Sequence, residues 1–182
     1  GIAGELAGRT LRTARRRSLG EQLSDVVGLL EREWPSVESP ASSNEAFTLL
    51  WPVDAALNEE NPFGANPELY ALLGYPGHPG IDFLADHLPV FACEAGTVML
   101  AGPYGNAGNI VRIRHEGFET RYCHLSEVIA GVGQWVERGQ QVGVSGETGF
   151  AQGPHLHLDL WLDGERNQYQ GRVDAAPYLV RA

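Results

Sequence analysis

GQQVGVSGETGFAQGPHLHLDLW (residues 139–161) consists of two short apolar runs around a segment with glycine at 146, 149 and 153 and proline at 154. Runs this short, bounded by turn residues, read as strands rather than helices. Read as a strand, the second run puts His155 and His157 on one face and Leu156, Leu158 and Leu160 on the other. Two imidazoles side by side suit an apolar core face poorly, because each needs a hydrogen-bond partner. A bound metal ion removes that conflict.

The same texture continues on both sides. LPVFACEAGTVMLAG, NIVRIRHEG, FETRYCHLS and QWVERGQQVGVSG are short apolar runs broken by Gly, Pro and Asn. Val111 and Ile113 alternate with Arg112 and Arg114, and Glu116-Gly117 marks a hairpin turn before Phe118. Phe118, Thr120, Tyr122 and His124 are expected to share one strand face. The fold class expected from Phe47 onward is all-β, a mostly antiparallel barrel or sandwich. Residues 18–34 read instead as an amphipathic helix. Ser18 and Glu21 have capping-box spacing, and Leu19, Leu23, Val26, Val27 and Leu30 form one apolar face. Pro35 ends it, and a Pro/Ser/Glu-rich linker follows. The expected division is therefore a helix and linker over 1–46 and a catalytic β domain over 47–182. The helix's apolar face must pack on that domain, on another subunit as a homo-oligomer, or on an upstream domain.

The chain has 182 residues and a net charge of −10. Residues 1–17 hold five arginines against Glu5, a balance of +4, which leaves −14 on the rest. An acidic body excludes nucleic acid as the main partner, since phosphate binding needs clustered cations. No apolar run approaches the roughly 20 residues of a transmembrane helix, and the first residues lack the apolar region of a signal peptide. Cys93 and Cys123 are too few for a disulfide framework and read as buried free thiols. All 13 basic residues are arginine. That matters because residues 131–146 have the rhythm of a biotinyl or lipoyl carrier hammerhead, which needs a lysine for its cofactor.

A second metal-type motif is His78-Pro79-Gly80-Ile81-Asp82. Fully extended, four residues would hold the His and Asp side chains roughly 13 Å apart. Gly80 permits a bend that brings them together. A third histidine, His124, lies in RYCHLS. His87 and His115 sit beside turn text and are expected to face solvent.

Taken together, H-x-G-x-D at 78–82, Y-C-H-L-S at 122–126 and the 139–161 segment resemble the lysostaphin/LytM-type zinc endopeptidases of bacterial cell walls. Order and spacing agree across all three, from about Trp51 to Trp161. NPFGANPELYALLGYPGHPGID (61–82) resembles a cleft-edge loop of that family. His87-Leu88-Pro89 departs from its usual glycine-containing turn, and residues 1–46 have no counterpart. The resemblance implies that His78, Asp82 and His157 bind one Zn2+ per chain, with His124 and His155 as an unligated catalytic pair beside it. Three protein ligands leave a position for water, as a catalytic zinc site requires. One histidine would take the water's proton and the other steady the oxyanion or serve the leaving amine. The implied substrate is a peptide of peptidoglycan, at a Gly-Gly or a D-Ala–diamino acid bond. The implied location is extracytoplasmic or phage-associated. The family's other known role is that of a catalytically silent activator of other hydrolases.

Overall fold

A computed structural model describes residues 47–181. The helix expected over 18–34 and the linker after it lie outside those residues. The expected β fold is what forms. The strands are β1 (Leu49–Leu50), β2 (Ile81–Phe83), β3 (Pro89–Phe91), β4 (Gly96–Pro103), β5 (Asn109–Arg114) and β6 (Phe118–Cys123). They continue with β7 (Glu127–Val128), β8 (Trp135–Val136), β9 (Gln141–Val144), β10 (Leu156–Leu162), β11 (Arg172–Val173) and β12 (Leu179–Val180). A five-residue helix α1 (Pro67–Ala71), which the strand-like reading missed, lies within the 61–82 stretch.

A seven-stranded sheet in the order β11-β10-β6-β5-β4-β8 carries the site, with β2 also paired to β10. All its pairings are antiparallel; β1 and β12 form a separate parallel pair, and β3, β9 and β7 a third sheet. β10 is the pivot. It lies between β6 on one side and β2 and β11 on the other. Leu156, Leu158 and Leu160 are fully buried in the core with Phe83, Tyr122 and Val111. The opposite face of the same strand buries His157 and Asp159. Burial on both faces explains why the leucines sit between polar residues without either set reaching solvent.

The β2–β10 pairing sets His157 opposite Asp82. Chain direction changes at Pro79-Gly80, as expected, but for a different physical reason. Gly80 is absent from the residues with positive φ. Its role is spatial: a Cβ there would stand 2.4 Å from Leu158 O and 2.7 Å from His157 Nε2.

Two expectations fail, at His115 and at His124. His115 is buried, at 5% exposure, rather than facing solvent. The β5–β6 turn tucks it over Gly96, where a Cβ would lie 2.7 Å from its Nδ1. Its Nδ1 donates to Ala95 O at 2.8 Å, and Thr120 Oγ1 lies 2.8 Å from its Nε2. Thr120 is 3.1 Å from Tyr122 OH, which accepts from Cys93 N–H at 2.7 Å. This chain of polar groups crosses the core fully paired. His124 also leaves its expected place. It follows β6 with φ +61°, so it does not extend the face of Phe118, Thr120 and Tyr122. Both cysteines are buried and free, as read from the sequence. Among the described residues no helix is long and apolar enough to cross a membrane.

Burial lowers the pKa of His115 below its ordinary value, against the pull of the Ala95 carbonyl. Its neutral form therefore contributes stability that is present above about pH 6.5 and is lost as pH falls toward the folded-state pKa. His115→Gln is expected to lower unfolding stability by about 1–3 kcal/mol at pH 8. In urea titrations that deficit should narrow by pH 5; a deficit independent of pH would contradict this reading. Gly80→Ala is expected to be more damaging, because backbone and a ring must both move to admit one methyl group.

Candidate metal centre

His78, Asp82 and His157 arrive from two neighbouring strands and the bend before one of them. Their inward atoms form a nearly equilateral triangle. His78 Nε2 lies 2.9 Å from His157 Nδ1, His157 Nδ1 2.9 Å from Asp82 Oδ1, and His78 Nε2 3.2 Å from Asp82 Oδ1. All three residues are buried.

The outer atoms of the same side chains decide what faces inward. His78 Nδ1 donates to Asn61 O at 2.8 Å, so its Nε2 presents a lone pair. His157 Nε2 faces Asp159 Oδ1 at 3.3 Å, so its ring proton rests there and Nδ1 presents a lone pair. Asp82 Oδ2 accepts from Asn61 Nδ2 at 2.7 Å, leaving Oδ1 to the triangle. Two imidazole nitrogens and a carboxylate oxygen thus converge on one point, which either a proton on His157 or a bound metal ion satisfies. Two nitrogens and one oxygen at this spacing are a donor set that fits zinc, and each ligand has the outer partner such sites need. Burial alone would raise the Asp82 carboxyl, but the His157 and His78 imidazoles outweigh it and hold it well below the usual carboxylate range. Burial likewise lowers His157, yet Asp159 and then Asp82 raise it to about 9. A proton and a metal ion would compete for that ring.

Asp159 is the residue the sequence reading passed over. It is fully buried and held by two guanidiniums. Arg121 donates from Nε at 2.6 Å and Arg172 from Nε at 2.9 Å. The HLHLDL text did carry a signal, since Asp159 shares a strand face with His157. Asn61 and Tyr70 were also missed. Asn61 Nδ2 reaches Tyr70 OH at 3.1 Å, and the Tyr70 ring stacks on His78 with centroids 4.9 Å apart. Nothing local to Asn61 announces a partner 21 residues away. Cys123, His157 and Asp159 form a second group with metal-type atoms within reach of one another. It is a poor site: burial pushes the Cys123 thiol far up, and both Asp159 oxygens already serve arginines.

His155 and His124 stand together next to the triangle, ring centroids 4.7 Å apart. His155 pairs with Gly146 just before β10 begins. Its Nδ1 donates to Gly153 O at 2.9 Å, and its Nε2 lies 3.9 Å from Asp82 Oδ1. His124 Nδ1 donates to Thr148 O at 2.8 Å. Burial, helped by His157 and His155 and opposed by the Thr148 carbonyl, lowers His124 to about 4. His124 therefore presents an unprotonated Nε2. His87, as expected, is exposed and bonded only to Asp86.

Asp82, His124, His155 and His157 line a cleft of about 850 Å³. One wall is the 58–75 stretch with α1, including the loop marked by sequence; the other is Tyr104–Ala107. Its base holds Asp82, His157, Cys123 and Arg121.

The chain is 43% identical over 89 residues to the peptidoglycan DD-endopeptidase ShyA of Vibrio cholerae, covering 48% of this chain and 21% of that protein. It is 35% identical over 109 residues to lysostaphin of Staphylococcus staphylolyticus, covering 58% of this chain and 22% of the other. The chain thus matches only about a fifth of the length of these curated relatives. A crystal structure described as an M23 peptidase from Pseudomonas aeruginosa superposes with a TM-score of 0.60 at 33% identity, over 87% of this chain and 59% of that one. The model of peptidase family M23 matches residues 76–169, just over half the chain and the segment that holds every histidine described above together with Asp82 and Asp159. This chain belongs to peptidase family M23.

Proposed function

We propose that residues 47–182 form a zinc-dependent endopeptidase that hydrolyses peptide bonds of bacterial peptidoglycan. One observation carries the reading: three buried lone pairs from His78, Asp82 and His157 converge, with every outer atom of those side chains already paired. Zinc held there would act as a Lewis acid on the scissile carbonyl and bring the pKa of a bound water to about 7. The remaining work falls to side chains of this protein. His155, its Nδ1 fixed on Gly153 O and its Nε2 3.9 Å from Asp82 Oδ1, takes the proton of the attacking water. His124, neutral at pH 7, receives that proton from the adjoining ring and delivers it to the departing amine. The open, partly apolar cleft suits an extended peptide of small residues. ShyA, which the chain resembles, is named a peptidoglycan DD-endopeptidase. Such a substrate lies outside the cytoplasm, and the protein acts there.

Two measurements test this. Purified protein should hold about one zinc per chain, and His157→Ala should lose both the metal and the ability to clear suspensions of purified walls. Metal-free wild type or a zinc-loaded mutant would refute the ligand assignment. His155→Ala should keep its zinc while kcat falls about 10²–10⁴-fold; an unchanged kcat would remove His155 from the chemistry.

A further inference from the structure

Arg121 is the one arginine lining the cleft among the described residues, in a chain whose net charge is −10. It lies on the base, opposite Asp159 in the β6–β10 pairing, two residues along from the level of Cys123 and His157. Two residues of strand correspond to about 7 Å. His155 occupies the same face in the other direction, so Arg121 and the histidine pair flank the metal centre from opposite sides.

The guanidinium is only partly used. Nε and Nη2 both meet Asp159 Oδ2, at 2.6 and 2.5 Å. No acceptor among the described residues meets Nη1, and no buried side-chain nitrogen or oxygen is left without a partner. Nη1 is therefore open to solvent or ligand, on a side chain that lines the cleft. Asp159 does not cancel this charge, because Arg172 holds its other oxygen at 2.9 Å. Two guanidiniums on one carboxylate leave a surplus positive charge, and Tyr104 stands over Arg121 at 6.0 Å as a side wall. A rigid, partly desolvated arginine with a free N–H is suited to an anionic group of the substrate.

On the peptidase reading above, we infer that Arg121 binds a carboxylate adjoining the scissile bond, and so selects the bond that is cut. An α-carboxylate next to a scissile amide belongs to the residue that supplies the nitrogen, since the other residue's carboxyl is the carbonyl under attack. A D-alanyl bond to an amino acid with a free α-carboxylate meets that requirement. A bond inside a glycine bridge does not.

The test compares three substrates with the zinc-loaded full chain: N-acyl-D-alanyl-D-alanine, its C-terminal amide and pentaglycine. Wild type should favour the free carboxylate over the amide by at least about tenfold in kcat/KM, mainly through KM, and leave pentaglycine uncut. Arg121→Gln, reloaded to one zinc per chain, should abolish the preference, and Arg121→Lys should restore part of it. D-alanine should inhibit wild type more strongly than D-alaninamide, a readout independent of turnover. Equal cleavage of acid and amide by wild type, or preference for pentaglycine, overturns the inference while leaving the peptidase reading intact. This comparison stands even where a variant fails to fold. Failure of wild type on all three substrates and on purified walls overturns both.

Discussion

Two imidazole nitrogens and a carboxylate oxygen can converge in a buried site only where a proton or a metal cation joins them. The arrangement of His78, Asp82 and His157 meets that constraint, and much of the surrounding fold serves to keep it. Asn61 binds His78 and Asp82 at once through its backbone carbonyl and its side-chain amide. Asp159 fixes the ring of His157 and is itself fixed by Arg121 and Arg172. Each link sets the tautomer or rotamer of the next, so the inward atoms have little freedom left.

The sheet makes this possible by burying β10 on both faces. Leucines fill the core side, while His157 and Asp159 face the cleft side beneath their partners. Gly80 allows β2 to close against that strand, and the pairing puts Asp82 across from His157. The cleft then inherits a polarity. His124 and His155 lie to one side of the His78–Asp82–His157 triangle and the Arg121–Asp159 pair to the other, along one strand direction.

How much of this the sequence disclosed follows the distance between partners. His155 and His157 are two residues apart, and His78 and Asp82 four, so local spacing exposed both pairs and the strand rhythm exposed the fold class. Arg121 opposite Asp159 depends on the β6–β10 register, and Asn61 on a fold-back of the 58–82 stretch; neither can be read locally. His115 misled because turn text surrounds it. Its fate was settled by Gly96, a residue on another strand whose missing side chain makes room for the ring. Gly80 was rightly singled out, but it answers to crowding by Leu158 and His157 rather than to a special backbone angle. Helix α1 escaped notice because its five residues sit between proline and glycine signals that read as loop.

The most direct test of the central claim is X-ray absorption at the zinc edge of the loaded protein. The account predicts a four-coordinate ion with two imidazole nitrogens at about 2.0–2.1 Å and oxygens at about 2.0–2.2 Å, without sulfur. A scatterer at about 2.3 Å would place the metal on Cys123 instead and contradict it.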